Sequence, residues 1–398
     1  MLTLVVLSLP FVQSRIANKI AAKINQNYST AIRVDGVAVS STGSIVLKSF
    51  FIADHHADTL FYAKNFQTDL YSFGKWAAGD LFFDTAAFND IYLKVIRYDG
   101  EAQNSLAYFS EQLLSHLARR DRDPAFVRLN QLKITDGRFS FTENTDQKQP
   151  IKAEDINLLA TDFFVIDKHI EIDLEALSFN ANPFGKLDFL KSQVSINPCM
   201  IELDSFTIGI EGSLFAGDLK LETPDATVGF LDDRSTLQIQ LQKGRLTKAF
   251  LDNFLPISDS FEPVDFSFET DGFLADLKLT DLNASNPYVN LAAEINIEGG
   301  FSEAFPQITA KIDRFFITPQ NLSYFLTRPI MDKIPLPMFD YDQIQMFGNT
   351  TYKDQEWSSQ LNISIDDGVI IQKGVVRLKD NKPDRYAATF DIDQFNLK

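Results

Sequence analysis

The sequence predicts a mainly β protein in which helices are few. Three observations carry that expectation. Apolar residues recur with a period of two over long stretches from Ile32 onward. Strand–Asp-Gly–strand units recur at Asp35-Gly36, Asp136-Gly137, Asp271-Gly272 and Asp367-Gly368, and Asp-Gly is a hairpin or bulge signal. Helical periodicity is clear at only a few places.

At the amino terminus, the uncharged run Leu2–Val12 is about half of the ~20 residues that a spanning helix needs. No basic region precedes it, and no small-residue cleavage site follows. It reads either as a short signal core or as the outer half of a membrane anchor, and the second reading is adopted. The chain runs on into Gln13–Asn27, where Ile16, Ile20 and Ile24 repeat every four residues beside Arg15, Lys19 and Lys23. That is a basic amphipathic helix suited to a membrane interface, with Leu4, Val5, Leu7 and Phe11 as the apolar part of the anchor. The alternative is an ordinary surface helix begun at Pro10.

Further on, Leu132 and Ile134 alternate with Lys133 and Thr135, and Asp136-Gly137 turns or bulges. Phe139 and Phe141 then resume the apolar face. Val264, Phe266 and Phe268 run up to Asp271-Gly272; Leu361, Ile363 and Ile365 run up to Asp367-Gly368. The spacing of these units is irregular, which is loose repetition and no strict solenoid period. Asn104–Arg120 is the best interior helix, with Leu106, Phe109, Leu113 and Leu117 on one face and His116, Arg119 and Arg120 in its last turn. Thr247–Leu255 and Thr318–Leu326 are short helix candidates, the latter with Pro319 at its first helical position.

Composition narrows function. The 398 residues carry 37 Lys+Arg against 54 Asp+Glu, a net charge of −17. A chain this acidic lacks the basic face that nucleic acid requires, and it is not built for broad electrostatic docking on anionic lipid. One cysteine, Cys199, excludes an internal disulfide and paired-cysteine zinc sites, and the residue itself reads as a buried small hydrophobe. Of the aromatics, 36 are Phe against 11 Tyr and 2 Trp. Phe lacks the polar handle of the other two, so large dry surfaces are expected.

Catalytic patterns are absent: there is no Gly-x-Ser-x-Gly, no His-Glu-x-x-His, no phosphate loop and no dinucleotide fingerprint. No enzyme activity, cofactor or metal is expected. Asp54-His55-His56-Ala57-Asp58 is the one dense run of ligand-type residues. Consecutive histidines on a strand face opposite ways, and only in a turn can both ligate; the run is read as a polar turn between strands. His116 and His169 read as surface residues, and Asp232-Asp233 and Asp366-Asp367 as turn residues.

Strands that alternate strictly expose one apolar face, which must be covered by something. Three or so interior helices cannot cover this many strands. Either sheets pack on one another, or the apolar face lines a groove filled by an apolar ligand. Leu132, Ile134, Phe139, Phe141, Val264, Phe266, Phe268, Leu361, Ile363 and Ile365 are the candidate groove residues.

The order of features resembles the amino-terminal part of the TamB family, in the wider AsmA-like group. The resemblance rests on the apolar stub with Pro10-x-Val12-Gln13, the amphipathic helix and Ile32-x-Val34-Asp35-Gly36-Val37. The stretch Phe51-Ile52-x-Asp54-His55-His56-x-Asp58-Thr59-Leu60-x-Tyr62-Ala63 resembles the Bacteroidetes form. Leu132-x-Ile134-x-Asp136-Gly137-x-Phe139 and Ile308-x-x-x-Ile312-x-x-Phe315-x-Ile317-Thr318-x-x-x-Leu322 support it.

The resemblance implies an elongated, curved, open, antiparallel-rich sheet with an apolar inner groove. It implies an anchor and helix at 1–27, then β-groove segments at 28–130 (with helix 104–120 inserted), 131–260 and 261–398. The anchor looks truncated and the family's outer-membrane domain is missing, so the expectation is an amino-terminal piece. The implied setting is the periplasm of a Gram-negative envelope, tethered to the inner membrane. The implied task is phospholipid transport toward the outer membrane and outer-membrane biogenesis, with an Omp85-type barrel as partner through the missing part. A second expectation is a structural scaffold that templates outer-membrane β-proteins by strand addition. A third, a hydrolase or carbohydrate-binding protein, is disfavoured by scarce Tyr and Trp and the lack of a triad.

Overall fold

The computed structural model describes residues 31–39, 44–70, 81–101, 103–117, 126–143, 150–166, 168–182, 185–226, 229–253, 258–299, 306–318, 321, 343–365, 368–379 and 382–393. The expected anchor, the basic amphipathic helix and nearly all of the Thr318–Leu326 helix fall outside them. The protein is mainly β and divides at Asn197/Pro198 into two units.

The first unit holds β1 (Ala31–Val39), β2 (Ser44–Ala53), β3 (Thr59–Leu70), β4 (Leu81–Arg97), helix α1 (Ser105–Leu117), β5 (Phe126–Glu143), β6 (Ile151–Ile166), β7 (His169–Asn182) and β8 (Gly185–Asn197). Each strand pairs with its neighbour in sequence, and all pairs are antiparallel except β4–β5. That parallel step is where α1 sits, because two parallel strands need a crossover connection. Asn104 caps the helix, its Oδ1 accepting the Ala107 N–H at 2.9 Å. The Ser105 hydroxyl, fully buried, accepts the Ile96 N–H at 3.0 Å and ties the helix to the end of β4.

The second unit holds β9 (Met200–Ile210), β10 (Ser213–Glu222), β11 (Thr236–Leu246), the short helix α2 (Lys248–Leu251), β12 (Val264–Phe273), β13 (Asp276–Asn286), β14 (Val289–Glu298), β15 (Gln307–Ile317), β16 (Ile344–Lys353), β17 (Glu356–Ile365), β18 (Gly368–Lys379) and β19 (Lys382–Asp393). Its ladder is antiparallel throughout, again between sequence neighbours. Both units are therefore open antiparallel-rich meanders, each strand the antiparallel ladder partner of the next apart from the parallel β4–β5 step.

The Asp-Gly signals resolve in different ways. Asp136-Gly137 is a bulge inside β5, with Asp136 at φ 56° and the register shifted between Ile134 and Gly137. Asp35-Gly36 lies inside β1. Asp271-Gly272 is not the turn: β12 runs on to Phe273, and the chain reverses at Leu274-Ala275. Asp367 of the Asp367-Gly368 signal lies outside the described residues; Gly368 opens β18 and pairs with Ile365 of β17. Cys199 is half-buried in a turn rather than sequestered in a core.

Within strands, Ser49, Asp90, Asp136, Asp155, Asp162, Ser205 and Asp281 all have φ near +50°. L-residues pay about 1–2 kcal/mol for that conformation, and after Gly it is Asp and Asn, whose short polar side chains can hydrogen-bond locally, that adopt it most readily. In the first unit these residues line up. Ser49, Asp90, Asp136 and Asp155 occupy β2, β4, β5 and β6 where each ladder skips its regular pairing. An extra or left-handed residue reverses which face the following side chains take, so the row shifts β2, β4, β5 and β6 at the same level of the sheet. Asp136→Val is expected to lower stability by about 1–2 kcal/mol, because a β-branched residue tolerates positive φ worst. Asp136→Gly should be neutral or mildly stabilising. Urea midpoints of the two variants check this, and equal midpoints would rule out a conformational role for the bulge.

Candidate functional site: a registered apolar face

Residues directly opposite on neighbouring strands share a face, so the register locates the apolar face without reference to depth. In β5, Leu132 and Ile134 precede the Asp136 bulge while Phe139 and Phe141 follow it at the opposite parity. Their partners are Ala160, Leu158, Ala153 and Ile151 on β6, and Ala86, Phe88, Leu93 and Val95 on β4. The bulge thus keeps both halves of each strand apolar on one side. Ring contacts agree: Phe88 stacks on Phe66 (4.6 Å) and meets Phe61 edge-on (6.0 Å), although Phe61 and Phe66 differ in parity along β3. Phe50 of β2 joins Phe61 at 5.9 Å. The other side of β5 carries Lys133 and Arg138, and the latter pairs with Asp90 at 2.8 Å and lies over the Tyr92 ring.

The second unit reaches the same result by alternation of bulged and regular strands. Register shifts fall within β9, β11, β13 and β15, at Ser205, Gln242-Lys243, Asp281 and Asp313-Arg314, whereas β12, β14 and β16 keep one parity throughout. Val264, Phe266 and Phe268 share their face with Leu241, Gly244 and Leu246 on β11 and with Ala284 on β13. Leu361, Ile363 and Ile365 share theirs with Gly348, Met346 and Ile344 on β16. All ten residues singled out from sequence therefore lie on the apolar face of their own unit.

Burial along this face is partial. Among the described residues, the buried apolar positions of the first unit's sheet are Ala53, Ala63, Ala86, Ala153 and Ala160 together with Leu60, Ile91, Val95, Ile96, Leu129 and Leu174. Phe50, Phe61, Phe66, Phe88, Phe139 and Phe141 are half-buried, as are all the candidate residues of the second unit except Ile365. Ile365 belongs to a small buried cluster with Ile317 and Ile344, flanked by Phe315, Met346, Ile363 and Ile370. The ring of Phe250 in α2 caps Phe215 at 5.7 Å, and Phe215 in turn meets Phe266 at 5.9 Å. Phe266 also lies across Gly244, where a Cβ would fall 2.4 Å from its ring. Two concavities lie elsewhere. One is lined by Glu202, Asp204, Asp218, Lys220, Glu269 and Asp271, the other by Asn349, Thr351, Gln360 and Lys373. Both are built mainly from the polar side, and none of the ten candidates lines them. The apolar face is an open surface, with no enclosed pocket on it among those two.

One further grouping was only half visible in the sequence. The β2–β3 turn carries Asp54–Asp58, and Asp54 Oδ1 accepts the N–H groups of His56 (3.0 Å) and Asp58 (2.8 Å). With Ala57 at φ 65°, the turn sends both imidazoles the same way, onto Glu101. His55 Nε2 lies 2.9 Å from one carboxylate oxygen and His56 Nε2 lies 2.8 Å from the other. These hydrogen bonds hold the Glu101 carboxyl below its usual range. Tyr108 of α1 stacks on His55 (4.1 Å) and Tyr98 lies against His56 (3.9 Å). Burial and the bond to Asp54 Oδ2 (2.6 Å) push the Tyr98 hydroxyl up. Lys94 holds Asp58 below the ordinary carboxylate range through a 2.9 Å hydrogen bond. Glu101 is distant in sequence and carries no pattern of its own, so the turn alone could not announce it. His169 pairs instead with Glu171 at 2.8 Å, and Asp232 sits in a turn and binds Arg234. The membrane-interface candidates Leu4 to Lys23, His116 and Asp366-Asp367 lie outside the residues described in side-chain detail.

Comparison with known proteins adds nothing to this picture: no family model, no curated protein and no solved structure matches the chain.

Proposed function

We propose that the chain is a non-enzymatic lipid-carrying segment of a Gram-negative cell envelope, its apolar face shielding phospholipid acyl chains between the inner and outer membranes. The observation that supports this reading is the continuous apolar face on each unit, kept in phase by bulges and left half-exposed along its large side chains. A diacyl lipid that bares about thirty methylenes to water faces a barrier of roughly 20 kcal/mol or more, at about 0.8 kcal/mol each. An open apolar strip removes most of that barrier and leaves the headgroup in solvent. Such a task asks for no nucleophile or nucleotide. Inner-membrane tethering through residues 1–27 and a partner of the Omp85 barrel class belong to the same proposal, and rest on the sequence resemblance.

A second reading, a scaffold that templates outer-membrane β-proteins by strand addition, is favoured by one feature. Strand β19 has β18 on one side, and its Phe390 and Ile392 are 61 % and 58 % exposed. Lipid extraction and native mass spectrometry of the purified chain separate the two. The lipid-carrying reading expects co-purifying phospholipid. Protein free of lipid that binds unfolded barrel peptides would favour the scaffold.

A further inference from the structure

We propose that His55, His56 and Glu101 form a binding site for a divalent first-row transition metal, for which Zn2+ is the best match. Two imidazole nitrogens and a carboxylate oxygen converge from two separate segments, and all three donor atoms lie within 4.8 Å of one another. Tetrahedral zinc sites are built from such donors at about 2.0–2.2 Å, which places neighbouring donors roughly 3.3 Å apart. The required movement is small. The side chains concerned are near the surface, with His56 47 % exposed, so a cation can enter and water can fill the fourth position.

The surroundings are consistent with a ligand set held in place. Adjacent histidines ligate together only off a regular strand, and the Asp54-capped turn supplies that geometry. Tyr108 and Tyr98 fix the two ring planes from either side. Binding replaces the two hydrogen bonds now made to Glu101 with three metal bonds, each imidazole offering its unprotonated Nε2 and carrying its proton at Nδ1. The absence of thiolate and the presence of imidazole select the Zn2+, Cu2+ and Ni2+ group over Ca2+ or Mg2+, which prefer oxygen-only shells. A bound ion would pin the β2–β3 turn to the corner between β4 and α1, joining three elements at one end of the first unit's sheet. This site is independent of the apolar face and of the function proposed for it.

The test uses the full chain, stripped of metal with a chelator and dialysed. Zn2+ is titrated against a chromogenic competitor in excess Mg2+, which occupies ordinary acidic surface sites. One saturable equivalent is expected, with affinity at least about tenfold weaker in His56→Gln and in Glu101→Gln, since loss of outer-shell partners alone costs 10–100-fold at metal sites. His169→Gln should bind as the unaltered chain does. Circular dichroism confirms that the variants are folded. Should they not fold, the Co2+ absorption spectrum of the unaltered chain decides: intense visible bands mark a low-coordinate nitrogen–oxygen site, and a weak spectrum like that of the aqueous ion overturns the proposal. Absence of saturable Zn2+ binding, or binding unchanged in both variants, overturns it equally and leaves a hydrogen-bonded clasp.

Discussion

Gly217→Val is expected to destabilise the second unit by about 3 kcal/mol, the upper part of the usual range for an overpacked site. Gly217 occupies the apolar face of β10 opposite Leu241. A Cβ there would lie 2.0 Å from the Gln240 carbonyl oxygen and 3.0 Å from the Leu241 Cα. Those atoms are backbone of β11, so no rotamer change relieves the clash. Two strands would have to separate next to the register shift at Ala216/Gly217. Gly348 repeats the situation on β16, where a Cβ would meet the Gln360 oxygen at 2.2 Å. Glycine thus marks places where the sheet bends tightly enough to bring a neighbouring backbone over the Cα. Gly229→Ala is the control: nothing lies within 4 Å of a Cβ there, and a shift within about 0.5 kcal/mol is expected. Urea unfolding of the three proteins reads the difference. Equal midpoints would mean that the strands close on each other less tightly than described.

Much of this architecture was legible from period alone. Leu132, Ile134, Phe139 and Phe141 announce an apolar face that survives a change of parity, and Asp136-Gly137 between them explains how. The same logic fails where the residue in the left-handed conformation is not followed by glycine. Asp90, Asp155 and Asp281 are single aspartates inside strands, and a lone aspartate in an acidic chain carries no signal. Asp271-Gly272 misleads in the other direction, because β12 continues past it to Phe273 and the hairpin turns at Leu274-Ala275. Register also settled what alternation could not. Period two is identical for a sandwich and for an open strip, and only the cross-strand partners and the half-burial of Phe61, Phe66, Phe88 and Phe139 show a face left uncovered in part. The His-His-Glu grouping was legible to the extent of its turn. Its third member comes from the chain after β4, and no local pattern links residue 101 to residues 55 and 56.

The lipid-carrying proposal depends on side, so substitutions on opposite faces of the same strand test it. Phe139→Asp in β5 and Ile363→Asp in β17 place a carboxylate on the apolar face. Lys133→Asp and Gln360→Asp place one on the polar face of the same two strands. A carboxylate set in an acyl environment costs about 2.5–3.5 kcal/mol on a membrane-insertion scale, enough to reduce local lipid occupancy by more than tenfold, since each 1.4 kcal/mol is a factor of ten. Both target positions are half-buried and Ile363 packs against the buried Ile317, Ile344 and Ile365 cluster, so circular dichroism of each variant accompanies the measurement and only folded variants are scored. The most direct measurement is phospholipid bound per chain after incubation with phospholipid vesicles and re-isolation, for the unaltered protein and the four variants. The account predicts bound lipid in the unaltered chain and in both polar-face variants, with at least half of it lost in Phe139→Asp and in Ile363→Asp. Equal loading of all five proteins, or none in the unaltered chain, would contradict it.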